Sequence, residues 1–241
     1  MAHLHARKVL QYKERFKKEA EELLLTGFPS TILKLNTLIV NPKFKKRDFS
    51  DMHENFTPQL EPESVLDKGD ATLPPAKKPR YDNTSSQTKT PSTLLKTNKC
   101  LIDLIETVKP HMIKLVEDSK MMKMWISYMI PKMEDGNNFG VEIQEETLML
   151  VQAVENSATQ FYDRISNYFS TRAKVVKNMI KYPDVEDFKR AVQELDEKEY
   201  LSFCLVMSEI RNQYCALHDV LLKNIDKLKK PRSNQPPESL Y

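Results

Sequence analysis

Residues 147–168 read TLMLVQAVENSATQFYDRISNY, and this stretch decides the fold. Thr147, Val151, Val154, Ala158, Phe161, Ile165 and Tyr168 step 4-3-4-3-4-3. That spacing lays one seam down an α-helix and suits packing against other helices. Working outward, no proline occurs in 132–182 or in 184–230, and both stretches are rich in helix-favouring Glu, Lys, Leu, Val and Met. The spacing predicts a third helix that begins after Gly140, carries Gln144, Glu145 and Glu146 in its first turn, and ends at Tyr182. Acids near a helix start complement its dipole, and Pro183 disfavours helix in the residue before it. Asp184 is the expected N-cap of a fourth helix, with Asp187 in its capping box. Phe188, Val192, Leu195, Phe203, Val206, Ile210, Tyr214, Leu217, Leu221, Ile225 and Leu228 line that helix as far as Pro231. Upstream, a second helix is expected over 93–130, with a bend at Pro110 and Leu101, Leu104, Ile105, Val108, Met112, Leu115 and Val116 inward. A first is expected over 5–40, with Val9, Phe16, Ala20, Leu23 and Leu24 near one face and Pro29 kinking or interrupting it. Helices of this length span about 60 Å at ~1.5 Å per residue. Joined by short turns at 131–141 and 183, they make an all-α, long antiparallel four-helix bundle.

Composition narrows the function. Only 4 of 241 residues are glycine, and Gly27, Gly69, Gly136 and Gly140 spell neither a P-loop nor a dinucleotide-binding fingerprint. No apolar run reaches the ~18 residues of a membrane span, and the charged N-terminus does not read as a signal peptide. The formal charge is +3, but five bases and one acid fall within 223–232, which leaves the rest of the chain at −1. No nucleic-acid partner follows from such a balance. Cys100, Cys204 and Cys215 form no C-x-x-C pair and read as free, mostly buried thiols. No triad, H-E-x-x-H or calcium-loop pattern occurs, so no catalytic residue, metal or cofactor is expected. Prolines at 58, 62, 74, 75, 79 and 91, among Ser, Thr, Asp and Lys, mark a flexible linker. The expected organisation is an N-terminal bundle helix in 1–49, the linker in 50–91, helices two to four in 92–232, and a tail in 233–241.

Three features remain after the bundle is accounted for. The turn Glu134, Asp135, Gly136, Asn137, Asn138, Phe139 and Gly140 holds half of all the glycine, and the connection around it is longer than a helical hairpin needs. It is either an ordinary turn or a loop presented to a partner. Lys77, Lys78 and Arg80 form a basic cluster in the linker, either a nuclear import signal or a solvated charge run. The tail ends in Ser239, Leu240 and Tyr241, an aromatic residue with a free carboxylate that nests or lysines could capture. Trp125 and methionines 121, 122, 124, 129 and 133 fill gaps in a core or a subunit interface.

The segment MEDGNNFGVEIQEE (133–146) and the stretch DEKEYLSFCLVMSEIRNQYCALHDVLLKNIDKLKKPR (196–232) resemble the REG (11S) family of ATP-independent proteasome activators. EETL (145–148), STRAKVV (170–176), YPDVEDF (182–188) and the final Leu-Tyr are similar to its gamma type. The linker, the first helix and the tail prolines depart from the common gamma pattern. The resemblance implies a four-helix-bundle subunit in a heptameric ring. It implies tails at Ser239, Leu240 and Tyr241 that dock on the α ring of the core (20S) proteasome. The turn at 134–140 becomes an activation loop that opens the gate to protein or peptide clients without ATP, with Asn137 as its essential asparagine. It further implies Lys174 on the channel lining, and residence in the nucleus with a cytoplasmic pool. A structural nuclear coiled-coil adaptor is the alternative, and it leaves the loop and the aromatic terminus unexplained.

Overall fold

The computed structural model describes residues 2–46, 48–53, 97–132, 134, 136 and 138–232. Lys77, Lys78, Arg80, Asp135, Asn137, Ser239, Leu240, Tyr241 and all of the linker beyond residue 53 lie outside them. Seven α-helices are described: α1 (Ala2–Glu22), α2 (Phe28–Ile39), α3 (Ser50–His53), α4 (Lys99–Met129), α5 (Phe139–Lys181), α6 (Glu186–Lys223) and α7 (Ile225–Lys229). No strand occurs among the described residues.

The seam that decides the fold is inward. Thr147, Val151, Val154, Ala158 and Tyr168 of α5 are buried, and Phe161 and Ile165 pack half-buried against them. The expected faces of α4 and α6 meet it, with Leu101, Leu104, Val108, Met112 and Leu115 opposite Phe203, Ile210, Tyr214, Leu217 and Leu221. Alpha-two packs on α6 and α1 on α4, which closes the fourth side. Trp125 and Met122 are fully buried, whereas Met124 is exposed.

Several boundaries differ from expectation. Just before Pro29 the first α-helix is interrupted, as expected, but by a change of helix type and not by a break in the chain's helical path. Residues Leu23–Gly27 form one π-helical turn in which Phe28 N–H reaches Leu23 O, and the chain on either side stays helical. Pro29 thus sits within the first two positions of α2, where a missing N–H is not needed. Alpha-four runs through Pro110 unbroken. The carbonyl that Pro110 cannot serve as donor belongs to Glu106, an exposed residue. Alpha-four starts at Lys99, capped by Asn98, whose side chain accepts from Leu101 N–H at 3.3 Å. Asp184 is not the cap of α6. Val185 takes that place without a side-chain bond, and the chain re-enters helix one residue later than expected. The fourth helix does not reach Pro231 in one piece. It breaks at Asn224, whose side-chain amide donates to Val220 O at 3.0 Å. Ser50–His53 is helical with Met52 buried, so the bundle extends slightly past the boundary read at residue 49. The thiols are less enclosed than expected: Cys100 and Cys204 are half-buried and Cys215 is exposed.

At the bundle end where α4 and α6 begin, three helices meet on a buried carboxylate. Asp196 is fully buried. It accepts from Arg172 Nε at 2.9 Å, Tyr168 Oη at 2.9 Å and Asn98 Nδ2 at 3.1 Å. One turn along, Arg164 Nε donates to Glu199 at 2.5 Å. A buried charge is tolerated only with such partners.

Candidate functional site

The opposite end of the bundle gathers the turn between α4 and α5 and the last residues before the tail. Alpha-four stops because Ile130 turns extended, with φ −62° and ψ 122°, and Pro131 follows. Gly136 has φ +85°, a left-handed conformation that favours glycine, and it is exposed. Asn138 opens α5, its backbone carbonyl accepting from Val141 and Glu142 N–H at 2.8 and 2.9 Å.

The start of α5 lies earlier than the sequence predicts. Phe139 and Gly140 belong to its first turn and not to the loop, and Gln144 falls in the second turn. The reason is tertiary. Gly140 is buried against the chain that leaves α7, and a Cβ there would stand 2.0 Å from Pro231 O. Gln144 is fully buried, and its Nε2 donates to Met129 O at 3.1 Å and to Leu228 O at 2.7 Å. One neutral amide therefore ties the last turn of α4 to α7 through the body of α5. Arg232 completes the arrangement with bonds to Lys132 O, Glu134 Oε2 and Asn138 Oδ1 at 3.0, 3.0 and 3.2 Å. Lys229 Nζ pairs with Glu21 of α1 at 2.6 Å, which fastens α7 to the first helix.

Of the expected site residues, Glu134, Gly136 and Asn138 form an exposed turn, and Phe139 presents its ring to solvent at 66% exposure. Gly140 is a packing residue. Asp135 and Asn137 lie within this turn but outside the described residues. Lys174 is exposed on α5, about 50 Å along the helix from Gly140 at ~1.5 Å per residue, so it belongs to the other end of the bundle. Part of the basic run is paired, once locally and twice across the bundle. Lys223 pairs with Asp219 at 2.6 Å, and Lys229 and Arg232 pair as above. Among the described residues no cluster of three metal-ligating side chains occurs, and no helix is long and apolar enough to cross a membrane.

The sequence reading did not single out Gln144 as a lock or Arg232 as a partner of the turn. Gln144 carried a signal. The seam continued backward from Thr147 falls on 144 and then on 140, so a polar residue and a glycine occupy core positions. Arg232 carried none, because its acceptors are about a hundred residues away in sequence, with separations of 100, 98 and 94.

The family described as "Proteasome activator PA28, C-terminal" matches residues 94–238, and "Proteasome activator PA28, N-terminal" matches residues 3–57. "Proteasome activator complex subunit 3" of Homo sapiens is 43% identical over 242 residues, covering 97% of this chain and 95% of that protein. The protein of the same name in Gallus gallus matches at the same identity and coverage, 43%, 97% and 95%. Among solved structures, the 11S subunit PA28 of the Plasmodium falciparum proteasome superposes with TM-score 0.73 at 31% identity, covering 94% of each chain. A mutated P26 activator, solved in complex with an archaeal 20S proteasome, shares the fold with TM-score 0.62 at 14% identity, over 100% of this chain and 99% of that one.

Proposed function

The chain belongs to the proteasome activator PA28 family, and from that premise we propose how it acts. It is an ATP-independent activator of the core proteasome. Its C-terminal tails dock on the α ring, and the loop between α4 and α5 opens the gate to protein or peptide clients. The observation that carries this reading is the meeting of loop and tail root at one end of the bundle, through Gly140, Gln144 and Arg232. A tail that docks there brings the loop to the same surface. The loop biases the gate only if it contacts the open arrangement better than the closed one. Its role is regulatory, and the peptide bonds are cut by the proteasome.

The working form is a ring of seven copies. Large apolar side chains stay exposed on several faces of the single subunit: Leu10 on α1, Met149 on α5, and Leu201 and Leu205 on α6, the last at 70% exposure. A neighbouring copy would cover such faces. Seven tails engaged together raise one another's effective concentration, so each tail need bind only weakly. Lys77, Lys78 and Arg80 direct the ring to the nucleus, with a cytoplasmic pool, and Lys174 faces the channel.

The deciding experiment is fluorogenic peptide hydrolysis by purified core proteasome with and without this protein. Stimulation without ATP is expected, with a native mass near seven times the subunit's 28.1 kDa. No stimulation by a correctly assembled ring would leave a structural adaptor. Asn137→Tyr is expected to bind yet not stimulate, and removal of Ser239, Leu240 and Tyr241 to abolish binding while the ring persists.

A further inference from the structure

Arg232 is the last described residue before the tail, and its guanidinium grips both sides of the turn. Nη1 donates to Lys132 O and to Glu134 Oε2, on the strand of chain leaving α4. Nη2 donates to Asn138 Oδ1, at the entrance to α5. Resting on the reading of this turn as the activation loop, we propose that Arg232 is a positioning residue. It fixes the loop against the root of the tail, so that a docked tail delivers the loop to the gate at a set height and angle.

Three features support a positional role over a stabilising one. First, the geometry needs a fork. A planar guanidinium can hold three divergent acceptors, whereas a lysine supplies one point charge. Second, asparagine is a favoured N-cap, yet the side chain of Asn138 makes no capping bond to α5 and accepts from Arg232 instead. A local helix-stabilising bond is absent where a long-range one is present. Third, the ion pair is too open to add much stability, since the Glu134 side chain is 65% exposed. What the contacts do is remove freedom. Pro231 is pressed against Gly140 on one side, and Arg232 crosses the loop mouth on the other, so the backbone at 231–232 and both sides of the loop move as one piece.

The proposal separates two quantities measured in one titration of activator into core proteasome. The plateau of peptide hydrolysis reports gate opening, and the half-saturating activator concentration reports docking. Arg232→Ala and Arg232→Lys are expected to lower the plateau by about five-fold or more while moving the half-saturating concentration by less than about three-fold, a split that lost stability alone does not produce. Glu134→Ala and Asn138→Ala each remove one acceptor at an exposed position and are expected to lower the plateau less than Arg232→Ala does. They carry the test should the Arg232 variants not assemble. An unchanged plateau in all four variants overturns the proposal. So does a plateau that recovers fully at high activator concentration, since Arg232 would then act in docking. Wild-type and Asn137→Tyr rings run alongside distinguish the failures. A wild type without stimulation, or an Asn137→Tyr ring with full stimulation, removes the reading beneath the proposal as well.

Discussion

The two ends of the bundle are both locked by polar contacts across three helices, yet they are built from different chemistry. At one end a fully buried carboxylate, Asp196, holds Arg172, Tyr168 and Asn98. At the other, a neutral amide on Gln144 bonds two backbone carbonyls, and a partly open arginine spans an exposed turn. A buried charge network is all-or-none. It fixes helix register, and losing one member strands the rest. An amide bonded to backbone constrains the path of the chain without charge. The first arrangement suits a scaffold, and the second suits a loop that must be held in place and still meet a partner.

Substitutions at the two ends should therefore differ in kind as well as in size. Asp196→Ala removes the buried carboxylate on which Arg172, Tyr168 and Asn98 converge, and it should cost about 3–5 kcal/mol. The thermal midpoint should fall, while rings that remain folded stimulate the proteasome as before. Lost stimulation in a ring of unchanged stability would break the comparison. Two buried tyrosines should respond to alkali. Burial first, and then the Asp196 charge, push the Tyr168 hydroxyl well above its ordinary value near 10, and burial and Asp118 do the same for Tyr214. A raised folded-state value means that the stabilisation is fully present below the unfolded pKa and is lost as pH rises beyond it. Tyrosinate absorbance at these two sites should appear only together with unfolding, above pH ~10. Early, separate titration would contradict the burial of these two hydroxyls.

The loop end should give smaller losses of stability and larger losses of function. Gly→Ala inside a helix ordinarily gains up to ~1 kcal/mol. At Gly140 the sign should reverse to a loss of about 1–3 kcal/mol, because the new methyl meets Pro231. Stimulation should fall with it as the tail root is displaced. A more stable and fully active Gly140→Ala would show that the close approach does not matter. Gln144→Leu deprives Met129 O and Leu228 O of their donor. It also removes Oε1, which is itself buried without a partner. The two effects oppose, and the net cost should be about 1 kcal/mol by denaturant titration. The smallest effect is expected on the exposed face of α6. Arg190→Ala breaks an exposed pair with Glu194 and should change stability by no more than ~0.5 kcal/mol. A larger value would place Arg190 in an interface.

Much of the fold was legible because it is periodic. The seam from Thr147 to Tyr168, the inward faces of α4 and α6, and the end of α5 before Pro183 all follow from local spacing and from the stereochemistry of proline. The misread boundaries share one cause. Local rules state what a residue prefers, and the bundle decides whether the preference is met. Pro29 follows an interruption of the α-helix, yet the chain stays helical through the π turn before it. Pro110 lies within a helix, and α4 runs through it unbroken. Asp184 should cap one, but the chain re-enters helix a residue later.

The candidate site divides the same way. By itself the sequence determined that the turn at 134–140 has too much glycine and length for a plain hairpin, and that the chain carries the motifs of a proteasome-activator family. It determined the seam from Thr147 to Tyr168, whose backward continuation falls on Gln144 and Gly140. Only the tertiary structure decided that Gly140 is a seat for Pro231, that Gln144 joins α4 to α7, and that Arg232 holds the loop. The physical reason is range. A helical seam is written in neighbours three and four residues apart, whereas the loop and the tail root meet only after three helices of different length have brought residues almost a hundred positions apart to one end of the bundle.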